Sequence, residues 1–85
     1  MRTVNENART VKVNLNSIDA VKNFCNTASK YDFEIDMISG RYTINGKSLL
    51  GLFSLDLSKD ITVSVNADEE QANKFFEDVK DYVVE

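Results

Sequence analysis

The 85-residue chain contains no histidine, no proline and no tryptophan, and it has one cysteine and three glycines. Each shortage closes a route. Without histidine the chain lacks the commonest metal ligand, the commonest general base and any phosphohistidine chemistry. The lone Cys25 excludes an internal disulfide, and a reducing compartment is its natural setting. With no proline, and glycine only at Gly40, Gly46 and Gly51, there is little room for a flexible linker. The polar residues 1–9 alone read as an irregular or partly ordered N-terminal segment. No apolar run approaches the roughly 18 residues that would span a bilayer. No basic-then-apolar leader opens the sequence, so a cytoplasmic protein without membrane attachment is expected.

Ten basic residues against fourteen acidic ones give a formal net charge of −4. That balance argues against nucleic acid as a partner, because phosphate contact needs a basic face. Length and an ordinary mix of 42% hydrophobic and 28% charged residues predict one domain over residues 1–85 with a thin core.

The hydrophobic pattern switches between two periods. Val11, Val13 and Leu15 alternate with Lys12 and Asn14, which predicts a half-buried strand. Ile18, Val21, Phe24, Cys25 and Ala28 recur at helical spacing behind Ser17, a good N-cap, with Asp19 favouring the positive end of the helix dipole. Phe33, Ile35 and Met37 predict a second strand. Ser39-Gly40 supplies a tight turn, and Tyr42 and Ile44 give a third strand that Asn45-Gly46 ends. Ser48 caps a short helix carrying Leu49, Leu50, Leu52 and Phe53. Ile61, Val63 and Val65 make a fourth strand. Ala72, Phe75, Phe76, Val79, Tyr82 and Val83 form one stripe of a last helix, opened by Asp68 with Gln71 as a capping box.

The predicted order is β-α-β-β-α-β-α. Each strand has one apolar face, so an α+β open-faced sandwich is expected, with a four-stranded antiparallel sheet covered on one side by three helices.

Element order, length and three stretches resemble the HPr family, small phosphocarriers of the bacterial sugar phosphotransferase system. Asn45-Gly46-Lys47-Ser48-Leu49-Leu50-Gly51-Leu52-Phe53-Ser54-Leu55 is similar to the family's Lys-Ser-(Ile/Leu)-x-Gly-(Val/Leu)-(Met/Phe)-Ser-Leu block. Thr27-Ala28-Ser29-Lys30-Tyr31-Asp32 resembles the end of its first helix. Asp68-Glu69-Glu70-Gln71-Ala72 resembles the start of its last. The likeness runs from about Thr10 to Val84.

The family carries Gly-(apolar)-His-x-Arg-Pro between the first strand and the first helix. Here that place reads Leu15-Asn16-Ser17-Ile18-Asp19-Ala20-Val21. Matching both strand and helix leaves the loop about three residues short. An ungapped match from the helix puts Ser17 at the histidine position, with Asp19 near the family's arginine. A serine hydroxyl is a weak nucleophile without an adjacent base. A carboxylate ~4–5 Å from an incoming phosphoryl group would oppose it by about 1–4 kcal/mol. Loss of histidine-type phosphotransfer is therefore expected.

The resemblance implies a regulatory phosphorylation site at Ser48 and a docking face for a protein partner at Lys47, Leu49, Leu50 and Phe53. The partners it suggests are an HPr kinase or a transcription regulator. For Ser48 plain N-capping, and for the leucines ordinary packing, are the structural alternatives. For Ser17 as a residual acceptor, N-capping is an adequate structural explanation and the favoured one. Cys25 lies on an apolar stripe and reads as an inert small hydrophobe.

Asp32, Glu34 and Asp36 alternate with apolar residues, as a solvated strand face does, rather than as an oxygen-ligand metal site. No catalytic residue set, metal site or cofactor is expected, and the chain does not read as an enzyme. Monomer and weak dimer both remain open. A binding module leads. A phosphocarrier using Ser17, or a scaffold with no phosphate role, is the alternative.

Overall fold

The computed structural model describes residues 8–84. Its elements follow in the order β1 (Ala8–Val13), α1 (Ile18–Ala28), β2 (Glu34–Ser39), β3 (Tyr42–Asn45), α2 (Leu49–Phe53), β4 (Ile61–Asn66) and α3 (Glu69–Asp78), with a 3-10 turn at Lys80–Tyr82. One four-stranded sheet has the spatial order β1-β4-β2-β3. All three neighbouring pairs are antiparallel. The expected open-faced α+β architecture is the one found.

Register explains which face is dry. Val11 pairs with Val63 and Val13 with Ile61. On the other flank of β4, Val63 pairs with Met37 and Val65 with Ile35. Side chains alternate across a strand, so these residues share one face, and Val13, Ile35, Met37, Ile61, Val63 and Val65 are buried there. Thr62, Ser64, Glu34 and Asp36 occupy the opposite face. Glu34 is exposed and Asp36 half-buried, while Asp32 lies exposed ahead of β2.

The helices close the dry face. Ala20, Val21, Phe24, Cys25 and Ala28 of α1 are buried, as are Ala72 and Phe75 of α3. Phe24 and Phe75 meet edge-to-face, with ring centroids 5.8 Å apart at 80°. Tyr31 and Phe33 bring two further rings to Phe75, at 5.3 and 6.2 Å. This geometry is favourable for aromatic pairs beyond their burial, and it locks α3 to the α1–β2 connection.

The C-terminal end departs from the sequence expectation. The stripe through Tyr82 and Val83 predicts a continuous helix, but α3 ends at Asp78, with Val79 fully buried behind it. After the 3-10 turn, Val83 bridges to Val13. Asn14 N–H donates to the Tyr82 carbonyl and Val84 N–H to the Lys12 carbonyl, both at 2.9 Å. Pairing with the outer edge of β1 satisfies main-chain groups that a further helical turn would have left unmatched there. At the other end, β1 begins at Ala8, so Ala8 and Arg9 of the expected irregular segment are strand. Residues 1–7 lie outside the described residues.

Candidate functional site

Two helix starts hold the residues singled out by the sequence. At the first, Ser17 has extended backbone (φ −142°, ψ 158°), and its Oγ accepts the Ala20 N–H at 3.1 Å. Its carbonyl accepts the Val21 N–H at 3.1 Å. This is N-capping in full. No basic side chain hydrogen-bonds the hydroxyl among the described residues. The connection before it is held from two sides. Asn14 N–H is bound to Tyr82 as above, and Asn14 Nδ2 donates to Asp60 Oδ1 at 3.2 Å. Leu15, expected in the strand, follows its end at Val13 but is fully buried.

Ile18 corrects the expected apolar stripe, since it is 62% exposed. At 3.6 residues per turn it lies about a quarter-turn round from the centre of the buried set, whose middle is marked by Val21, Phe24 and Ala28. Ala20 takes the buried place instead. Helical spacing had admitted Ile18, and only the packing of α1 on the sheet shows that it falls outside the buried arc.

At the second start, Asn45 Oδ1 accepts the Lys47 N–H at 2.8 Å, and the Asn45 carbonyl accepts the Ser48 N–H at 3.0 Å. This asparagine turn delivers Ser48 to the cap position. Ser48 Oγ then accepts the Gly51 N–H at 3.1 Å. Gly51 has a steric reason to lack a side chain. A Cβ there would sit 2.4 Å from Cγ2 of Ile44, so the backbone of α2 rests directly on β3. That contact was not foreseen from the sequence.

The α2 surface is divided sharply. Leu52 is fully buried, while Leu50 is 84% exposed and Leu49 and Phe53 are each 37% exposed. Lys47, half-buried, has its ammonium tied to the main-chain carbonyl of Tyr31. Cys25 Sγ lies 3.4 Å from the Lys47 carbonyl, which sets the start of α2 against the middle of α1. Tyr31 in turn donates its hydroxyl to Asp78 Oδ2. Burial foremost, then that hydrogen bond and the negative charge of Asp78, pushes the Tyr31 hydroxyl up to about 12.

Chemically, the site offers two capped serines, one apolar patch and no imidazole. A family model described as the PTS HPr component phosphorylation site matches residues 8–85. The chain belongs to the HPr family. Among solved structures it is similar to HPr-C-His from Thermoanaerobacter tengcongensis, 27% identical with a TM-score of 0.67, over 85% of this chain and 88% of that one. It is also similar in fold to the phosphocarrier protein HPr from Bacillus anthracis str. Ames, 24% identical with a TM-score of 0.62, over 89% of this chain and 94% of that one. No curated protein matches.

This HPr-family chain therefore has the family's architecture with zero histidines in its sequence. Among the described residues no three His, Cys, Asp or Glu side chains are grouped to hold a metal ion. Among them, too, no helix is long and apolar enough to cross a membrane.

Proposed function

We propose that this HPr-family chain is a regulatory or protein-binding module related to the phosphotransferase system. In this reading it has no histidine phosphocarrier activity, is not an enzyme and works in the cytoplasm. Its partner docks on the α2 face through Leu49, Leu50 and Phe53, with Lys47 holding the start of that helix in place. Phosphorylation at Ser48 switches the contact. An HPr kinase or a transcription regulator is the kind of partner proposed.

The observation that carries the reading is a juxtaposition. A side chain as apolar as Leu50 is almost wholly in water two residues from the capping hydroxyl of Ser48. A phosphate on that hydroxyl would bring about two negative charges to the rim of the apolar patch and displace the cap bond to Gly51. Both changes alter what the patch can bind. Ser17 supports phosphotransfer poorly. Its hydroxyl is occupied as a cap, it has no base at hand, and Asp19 stands in the first turn.

Three measurements test the reading. Incubation with an HPr kinase and ATP, followed by intact mass, is expected to add one phosphoryl group to wild type and none to Ser48→Ala. An unmodified wild type removes the switch. Incubation with Enzyme I and radiolabelled phosphoenolpyruvate is expected to leave the chain unlabelled. Label stable to acid and lost in alkali would instead establish a serine ester and bring back the Ser17 carrier. Binding of the purified chain to the family's transcription regulator is expected to be lost in Leu50→Glu and kept in Thr43→Lys, on the far side of the sheet.

A further inference from the structure

An open groove of about 520 Å³ lies between the β2–β3 turn and the α2–β4 connection, and none of Leu49, Leu50 and Phe53 lines it. Arg41, Tyr42, Ser54, Asp56, Lys59 and Asp60 line it. Tyr42 is 64% exposed on its wall. The two cations and two carboxylates cancel, so the groove gives no net preference to an anion or to a cation.

Its polar groups are partly committed and partly free. Asp56 Oδ1 accepts from the Ser58 N–H at 3.1 Å and from Ser58 Oγ at 2.6 Å. Asp60 Oδ1 accepts from Asn14 Nδ2 at 3.2 Å. Each carboxylate keeps a second oxygen as an acceptor. The Arg41 guanidinium makes no hydrogen bond or ion pair among the described residues, leaving its fork of donors available. The groove therefore combines donors, acceptors, zero net charge and one exposed aromatic ring. Hydroxyl groups, which donate and accept at once, match the first three. A C–H face laid on the Tyr42 ring matches the fourth.

We infer that this groove binds a neutral saccharide. Tyr42 is the platform, Arg41 and Lys59 donate to sugar hydroxyls, and the free oxygens of Asp56 and Asp60 accept from them. A phosphate would gain from Arg41 and Lys59 and lose to both carboxylates. A zwitterion such as glycine has no apolar face to set on the ring.

The test is a titration of the ¹⁵N-labelled chain, followed at its backbone amides by NMR. Glucose, galactose and maltose are the probes, with glycine and inorganic phosphate as comparisons. Saturable shifts are expected with at least one sugar, confined to residues 39–42 and 54–60. Tyr42→Ala and Arg41→Ala, each with a dispersed spectrum showing an intact fold, are expected to weaken binding by about fivefold or more. Leu50→Glu is expected to leave it unchanged. The inference is overturned if none of the three sugars gives saturable shifts, or if glycine or phosphate binds as well. Unchanged affinity in both groove variants overturns it too.

Discussion

The starts of α1 and α2 are built alike and set differently. Each has a serine in extended conformation whose Oγ accepts the N–H three residues on, at 3.1 Å in both cases. The first opens an eleven-residue helix with five buried residues and an acid in its first turn. The second opens a five-residue helix with Leu52 alone buried and no acid in its first turn. A cap is therefore silent about function, and its surroundings decide. Ser17 sits where the chain is tethered by Asn14. Ser48 sits on a short helix with one buried side chain, Leu52, and one glycine contact, its start tied through Lys47 to Cys25 and Tyr31, beside exposed leucine.

The comparison breaks most easily at that single side chain. Leu52→Ala should cost about 2–5 kcal/mol of unfolding free energy in urea, the usual range for a buried leucine. The neighbouring Leu50→Ala should stay within about 0.5 kcal/mol. Equal effects would mean that α2 is not anchored as described. Gly51→Ala comes next. The Ile44 methyl group must yield to a Cβ, and a loss of about 1–3 kcal/mol is expected. Loss of hydrogen-exchange protection should then be greatest in α2, and protection lost equally in α1 would contradict a local origin.

The caps themselves sharpen the contrast. Ser17→Ala and Ser48→Ala should each cost about 1 kcal/mol. If one serine proves neutral, its hydroxyl is not serving as a cap. The smallest effect belongs to Tyr31. Its folded-state pKa of about 12 stands above the ordinary 10.0. Its contribution is therefore present in full below pH 10 and is lost as pH rises towards 12, where the unfolded chain releases the proton more readily. Tyr31→Phe should flatten the decline of stability over that window. An unchanged slope between pH 10 and 12 would show that Tyr31 is not its source.

Much of this was legible in local pattern. Alternation located the four strands, and Ser17, Ser48 and Asp68 were readable as caps because capping depends on a few neighbouring residues. Asp68 Oδ1 accepts the Gln71 N–H at 2.8 Å, one half of the expected box. What escaped depended on distant partners. Tyr42 shares the dry face with Ile44 by alternation, yet it sits at the hairpin end and stays exposed. Val83 fits a helical stripe and a strand edge equally well until β1 is placed beside it. The closeness of Gly51 to Ile44 is a tertiary fact with no trace in spacing. For the candidate site, the cap at Ser48 was legible in the sequence, and the tie from Lys47 to Tyr31 was not.

The hydrogen bonds at the end of β1 have a consequence for self-assembly. A sheet margin with unpaired main-chain groups invites a neighbouring molecule to add a strand. Here the residues around Val83 already lie along the Lys12–Asn14 stretch of that margin. An incoming chain that pairs along that stretch must first evict them.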